Sequence, residues 1–232
     1  MFFYTLYIMQ QIEIGKLLSD SWNAFYRNIV FYILCSILCI GVPFVVIPFG
    51  SLALHRFSSF FIPTSILLTI SIIFIIVMFL IFGFGIKNCA LISAKGGNVV
   101  WKHLFVSFKT YLKIILCWIL IYLGVCFSMS FFVIPAIILM FLMQFVTIII
   151  VENPTKCIVD AIRESSKLCI DNALITFLFS IIISFMASLA VCTVVGIFVV
   201  LPFQEVALAT LYVRLREKEN YPKPPVFYEL HK

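Results

Sequence analysis

Residues 114–151 read IILCWILIYLGVCFSMSFFVIPAIILMFLMQFVTIIIV and contain no charged side chain in 38 positions. A membrane-spanning helix needs about 20 predominantly apolar residues. As one helix this stretch would be about 57 Å long, nearly twice the thickness of the hydrocarbon core, and tilting cannot absorb such an excess. The stretch therefore predicts two spans joined by a tight turn, which we place between Gly124 and Ser130.

Three other uncharged blocks extend this pattern. Residues 28–54 and 57–86 are each long enough for one span, whereas 172–204, with an apolar run that continues to Val213, needs a second hairpin. We place the turn of that hairpin at Cys192–Gly196. The predicted fold is all-α and polytopic, with six spans near 29–50, 63–86, 113–130, 133–151, 173–191 and 194–213.

The composition supports a membrane protein and excludes several functional classes. Of 232 residues, 64% are hydrophobic and 11% are charged, whereas soluble domains carry about 25% charged residues. A soluble enzyme, a nucleic-acid-binding protein and a disordered protein are therefore excluded, and no nucleic acid is expected as a partner.

The distribution of Lys and Arg gives an independent test of the span count. With six spans, 15 of the 16 basic residues lie on one side and only Arg56 lies on the other. A four-span arrangement weakens this bias to 12 against 4. Because cytoplasmic loops are enriched in Lys and Arg, we predict that both termini are cytoplasmic. Residues 1–216 would form one membrane domain and 217–232 a disordered cytoplasmic tail.

Each predicted cytoplasmic segment carries an amphipathic pattern that leads into a span. Apolar or small residues recur at helical spacing in three stripes: Ile14, Leu17, Leu18, Ser21, Trp22 and Phe25; Trp101, Leu104, Phe105, Phe108, Tyr111 and Leu112; Ile158, Ala161, Ile162, Ser165, Leu168 and Cys169. We expect Asn98 and Asn153 to cap the second and third helices. The pattern predicts three repeats, at about 10–86, 97–151 and 154–213, each an interfacial helix followed by a hairpin.

Aromatic and basic residues on these segments are candidates for contact with the membrane surface: Trp22, Arg27, Trp101, Lys102, Lys109, Lys113 and Lys167. Amphipathic helices of this kind lie at the level of the lipid headgroups. They either recognise lipids, including anionic ones, or serve only as elbows that anchor the hairpins. The second reading is favoured because such anchors are generic in membrane proteins.

Three stretches of the chain resemble the bacterial YciC-like integral membrane proteins, a group related to the membrane domain of some glycerophosphodiester phosphodiesterases. They contain Phe84-Gly85 to Tyr111, Pro135 to Lys167, and Pro202-Phe203 to Tyr212. Ala136 and Glu205 depart from the family pattern. The resemblance implies the fold and a bacterial inner-membrane location. It does not imply phosphodiesterase activity, because that chemistry belongs to a separate soluble domain.

Glu205 is the candidate that stands out inside an apolar block, and with Gln204 and Gln144 it makes a possible polar intramembrane site. An intramembrane carboxylate costs about 2.5–3.5 kcal/mol on insertion scales and usually faces a bundle interior or a wet cavity. Glu205 is either part of a transport path or a stabiliser of a helix that starts at Pro202. The second is favoured because the sequence shows no second buried charge. Gln144 is expected to join helices by hydrogen bonds.

The sequence contains no recognisable catalytic, cofactor-binding or metal-binding pattern, so no cofactor is predicted. We expect a non-enzymatic membrane protein with a structural, lipid-related or assembly role in the cell envelope. The alternative is a small secondary transporter or lipid carrier. Membrane lipids are the expected partners, together with membrane proteins or a second copy of the chain.

Overall fold

The structure is a computed structural model that describes residues 14–41, 69 and 82–220, and these ranges are helical without any strand. The helices are α1 (Ile14–Arg27), α2 (Ile29–Ser36, extended by a π turn at Ile37–Gly41), α3 (82–94), α4 (Phe108–Phe131), α5 (Val133–Leu142), α6 (Val146–Glu152), α7 (Ile158–Asp171), α8 (Ala173–Val191) and α9 (Val194–Asn220). The predicted all-α class is confirmed for this part of the chain.

Four stretches in the described ranges are long and apolar enough to cross a membrane: Phe108–Ser130, Val133–Glu152, Ala173–Ala190 and Gly196–Lys218. A fifth is added if α1 and α2, which meet at 76°, count as one broken span. The first two predicted spans, 29–50 and 63–86, lie largely outside the described residues, as do Arg56 and residues 221–232.

Both predicted hairpins are present. The first turns at Phe132, whose backbone is extended between α4 and α5, so the turn lies just beyond the predicted interval Gly124–Ser130. Gly124 lies instead inside α4, where a Cβ atom would be 3.1 Å from the Leu139 side chain, and helps α4 and α5 approach closely. The second hairpin turns at Cys192–Thr193, within the interval predicted for it.

Two of the three predicted amphipathic helices form. α1 buries Leu17, Ser21, Ala24 and Phe25, and α7 buries Ala161, Ser165, Leu168 and Cys169. In α1, Trp22 lies at the edge of the buried face, with 47% of its surface exposed. The predicted cap at Asn153 is wrong, because α7 starts only at Ile158 and its N-cap residue is Cys157.

The second amphipathic stretch does not form one helix, so this prediction is wrong. Trp101–Leu104 is a 3₁₀ turn, an extended segment follows, and α4 starts at Phe108 with Ser107, not Asn98, as its N-cap. Leu104 is buried, and its carbonyl accepts a hydrogen bond from the Tyr111 hydroxyl at 3.0 Å. Packing against α3 and α4 therefore overrides the helical periodicity of this stretch.

The core lies around α6 and the second half of α9. Residues 145–151 are buried throughout, and so are Val206, Ala207, Ala209, Leu211 and Tyr212. By contrast, α4 exposes large apolar side chains such as Trp118, Tyr122 and Phe127. A helix with exposed apolar residues is suited to contact with lipid. α9 also continues to Asn220, so residues 217–220 of the predicted disordered tail are helical.

Candidate functional site

An ion pair joins α3 to α9. The Lys87 ammonium lies 2.7 Å from Glu205 Oε2, and the two side chains are 13% and 28% exposed. Glu205 belongs to the apolar stretch Gly196–Lys218 and follows Pro202, which is buried inside α9. Charged residues inside spanning segments are costly and are typically paired with one another. The pair is thus the strongest candidate for a polar site in the described part of the chain.

Two expectations about Glu205 are wrong. A buried charge does partner it, because α3 brings Lys87 to its carboxylate. Pro202 also does not start a helix, because α9 begins at Val194, so Glu205 is not stabilised by the free N–H groups of a helix start. The sequence offers no sign of this contact, since Lys87 lies 118 positions earlier and directly follows the predicted span 63–86.

The other two candidates of the predicted polar site lie differently. Gln204 precedes Glu205 on α9 and is half-buried, but adjacent helical residues do not face the same direction. Gln144 accepts a hydrogen bond from Ser180 at 3.1 Å and donates to Cys169 Sγ at 3.6 Å. It therefore links the α5–α6 turn to α7 and α8, the role expected of a helix-joining amide.

A second polar cluster surrounds Glu152 at the end of α6. One carboxylate oxygen of Glu152 lies 2.6 Å from the Lys95 ammonium. The other accepts hydrogen bonds from the Tyr212 hydroxyl, at 2.6 Å, and from the Arg216 guanidinium. Because Glu152 is only 16% exposed, these three partners satisfy a carboxylate that is mostly removed from water.

This cluster extends to α7, because Arg216 also lies 3.9 Å from Glu164, which forms an ion pair with Lys156. Burial lowers the pKa of Lys95, and the positive charge of Arg216 lowers it further. We call the set Lys95, Glu152, Lys156, Glu164, Tyr212 and Arg216 the Glu152 cluster. It brings the end of α3, the end of α6, α7 and the last turns of α9 to one place in the fold.

Some of the predicted membrane-surface residues contact other parts of the protein, and others have exposed side chains. Trp22 packs on Phe203 of α9 with ring centroids 5.7 Å apart, and the Lys113 ammonium donates to the Pro154 carbonyl at 2.5 Å. Arg27 donates to the Ser93 carbonyl at 2.9 Å. The side chains of the remaining members are exposed: Trp101, Lys102, Lys109 and Lys167.

A buried polar clamp at the α1–α2 bend was not predicted. The Asn28 side chain donates to Ser93 Oγ at 2.7 Å and accepts from the Val99 backbone N–H at 3.1 Å. Ser93 in turn donates to the Ala24 carbonyl at 3.0 Å. An isolated Asn at the start of an apolar block was the available signal, since a buried amide requires hydrogen-bonding partners.

Searches of family models, curated proteins and solved structures found no match to this chain. The resemblance to the YciC-like proteins therefore stays a prediction.

Proposed function

We propose that this chain is a non-enzymatic six-span protein of the bacterial inner membrane, with cytoplasmic termini, that associates with anionic lipid and has a structural role in the cell envelope. We retain the YciC-like family and the three-repeat arrangement as parts of this proposal. Its second repeat would enter the membrane through the Trp101–Leu104 turn in place of an amphipathic helix.

A surplus of exposed positive charge on the predicted cytoplasmic segments carries the proposal. Among the described residues, no carboxylate lies within ion-pair distance of Lys16, Lys102, Lys109 or Arg163, and all four are exposed. The whole chain has a net charge of +6. Basic residues near a membrane surface attract anionic lipid by about 1 kcal/mol each, so these side chains favour an anionic leaflet.

Native mass spectrometry of the purified protein tests this function directly. The protein would be exchanged into mixed micelles with equal amounts of phosphatidylglycerol and phosphatidylcholine, and the retained lipids counted. We expect phosphatidylglycerol to be retained preferentially, and a Lys102→Gln/Lys109→Gln variant to lose part of that preference. Equal retention of the two lipids by the wild-type protein would reject an anionic-lipid role.

The Lys87–Glu205 ion pair favours a second candidate, a small carrier in which Glu205 takes up a proton or cation. A partly exposed carboxylate beside a lysine can exchange its partner when a proton or cation arrives. Proteoliposomes loaded with a pH-sensitive dye test this candidate. We expect proton flux in the wild type and none in Glu205→Gln, and equal dye signals in both would reject the carrier.

A further inference from the structure

An open groove lies where α1 turns into α2. It has a volume of about 580 Å³, which falls within the range of small-molecule binding sites. Among the described residues, its lining contains apolar, aromatic and basic side chains and no carboxylate, and includes Tyr26, Arg27, Ile29, Phe31, Leu34 and Trp101. The groove is thus suited to a ligand with an apolar body and a negative charge.

The groove has a polar end and an apolar end. Arg27 lies at the polar end, bonded to the Ser93 carbonyl, and Ser93 is only two residues from Lys95 of the Glu152 cluster. Asn28, the residue before α2, donates a hydrogen bond to Ser93 near the end of α3, so α2 starts at this polar end. The α2 side of the groove carries no charge from Ile29 to Ser36.

The Arg27 guanidinium has hydrogen-bonding capacity left at the polar end. The structure gives it one acceptor, the Ser93 carbonyl, and none of its other N–H groups has an acceptor among the described residues. Guanidinium groups bind phosphate through paired N–H groups. Lys102, which follows the groove residue Trp101 in the chain and is exposed, adds a second positive charge nearby in sequence.

We propose that this groove binds one anionic phospholipid, with the phosphate on Arg27 and an acyl chain along Leu34, Phe31 and Trp101. The charge of the lining is complementary to that of an anionic headgroup, whereas the ammonium group of a zwitterionic lipid would be repelled by Arg27. Trp101 and Tyr26 suit this position because their rings prefer the boundary between headgroups and acyl chains. The inference rests on the proposed lipid-related function and names a site for it.

Tryptophan fluorescence quenching by lipids with brominated acyl chains tests the site. The chain has three tryptophans, so a Trp22→Phe/Trp118→Phe variant leaves Trp101 in the groove as the reporter. A Trp22→Phe/Trp101→Phe variant leaves Trp118, which lies 48% exposed on α4, as the control. Each reporter would be placed in bilayers that contain a small fraction of brominated phosphatidylglycerol or brominated phosphatidylcholine.

We expect Trp101 to show about fivefold preference for brominated phosphatidylglycerol, the ratio that corresponds to about 1 kcal/mol for one basic residue at an anionic surface. Trp118 should be quenched equally by both lipids. Arg27→Gln should abolish the preference at Trp101, and Arg27→Lys should keep most of it, although both variants lose the guanidinium bond to Ser93. This matched pair separates the charge of Arg27 from its contribution to folding.

Equal quenching of Trp101 by both lipids, or a preference that survives in Arg27→Gln, would overturn the site. Loss of the preference in both Arg27 variants would also overturn recognition by charge. If phosphatidylglycerol still co-purifies with the wild-type protein in any of these cases, the groove fails while the proposed function stands. If no anionic lipid is retained at all, the proposed function itself fails.

Discussion

Lys87 and Glu205 lie 118 positions apart in the chain, and their charged atoms lie 2.7 Å apart in the fold. Each charge makes the other tolerable, because a single charge in a low-dielectric environment loses hydration without compensation. The contact also explains how a carboxylate persists in a stretch otherwise suited to crossing a membrane. At the residue scale, pairing therefore matters more than the position of Glu205 after Pro202.

Replacing one partner of this pair should destabilise the protein more than replacing both. Glu205→Gln leaves Lys87 as a mostly buried unpaired charge and should cost about 3 kcal/mol in the free energy of unfolding. The double variant Lys87→Met/Glu205→Leu removes both charges and should be near neutral or stabilising. Denaturant titration in detergent micelles gives the free energies, and additive effects of Lys87→Met and Glu205→Leu would contradict the pairing.

Gly85 and Gly83 of α3 allow a matched test of the close packing between α3 and the Trp101–Leu104 turn. A Cβ atom on Gly85 would lie 2.2 Å from the Leu104 carbonyl oxygen, whereas one on Gly83 would have nothing within 4 Å. Gly85→Ala should therefore cost about 1–3 kcal/mol, because backbone atoms must move. Gly83→Ala should be neutral or stabilise by up to about 1 kcal/mol, as expected for alanine in a helix. Equal thermal midpoints for the two variants would show that the 3₁₀ turn does not pack on α3.

Among the elements, α9 connects the most distant parts of the described chain. Its first half belongs to the second hairpin. In its last turns, Arg214 and Arg216 form ion pairs with three other helices. Arg214 pairs with Asp20 of α1 at 2.7 Å, and Arg216 contacts carboxylates of α6 and α7. α9 thereby links the amphipathic helices α1 and α7 to the two hairpins.

The two arginines should differ in their contribution to stability. Arg216 is 32% exposed and contacts the mostly buried Glu152, so Arg216→Met should cost about 2 kcal/mol, as for a hydrogen bond to a charged group. Arg214 is 46% exposed, and an exposed pair contributes at most about 1 kcal/mol. Thermal unfolding of both variants in detergent measures the difference, and a larger loss for Arg214→Met would contradict a central role for the Glu152 cluster.

The amphipathic elements show when a periodic pattern predicts a helix correctly. α1 and α7 form the helices that their apolar periodicity predicts, because the apolar face of each packs on neighbouring helices. Phe25 of α1, for example, packs against Phe203 of α9. In 101–112 the same period is present, but the Asn88 side chain donates a hydrogen bond to the His103 carbonyl at 2.6 Å. This bond and the burial of Leu104 stabilise a turn there. Tertiary contacts thus override the local helical preference of this segment.

At the scale of the whole molecule, the second arm of each hairpin ends at the Glu152 cluster. The cluster joins the end of α3 to the end of α6, and α7 to the last turns of α9. Both hairpin turns, at Phe132 and at Cys192–Thr193, therefore lie about 30 Å away along their helices, at 1.5 Å per residue. This distance matches the hydrocarbon thickness of a bilayer.

Two native cysteines provide a test of this topology. Cys157 lies just before α7, and Cys192 lies in the turn between α8 and α9; both are exposed. In variants that keep only one of them, a membrane-impermeant maleimide added to intact cells should label Cys192 and leave Cys157 unlabelled. Permeabilised cells should label both, as the control. Labelling of both sites from the same side would reject the second hairpin.

The all-α class with its long apolar helices, the two hairpins and the amphipathic helices α1 and α7 follow from the sequence alone. These features depend on length, hydrophobicity and local periodicity, which are properties of contiguous segments. The charge-free length of 114–151 is enough to require a turn, although its placement at Phe132 depends on how α4 packs against α5. The six-span count stays a prediction, because most of 42–81 lies outside the described residues.

Only the tertiary structure decided which polar groups meet. Three such contacts join residues that are 64 to 118 positions apart: Lys87 with Glu205, Glu152 with Arg216, and Asn28 with Ser93. Neither helical period nor hydropathy carries information about such contacts, since each partner looks acceptable in its own segment. Their pairing is imposed by the need of a buried charge or amide for a partner once water has been removed, and that need arises only after the helices have packed.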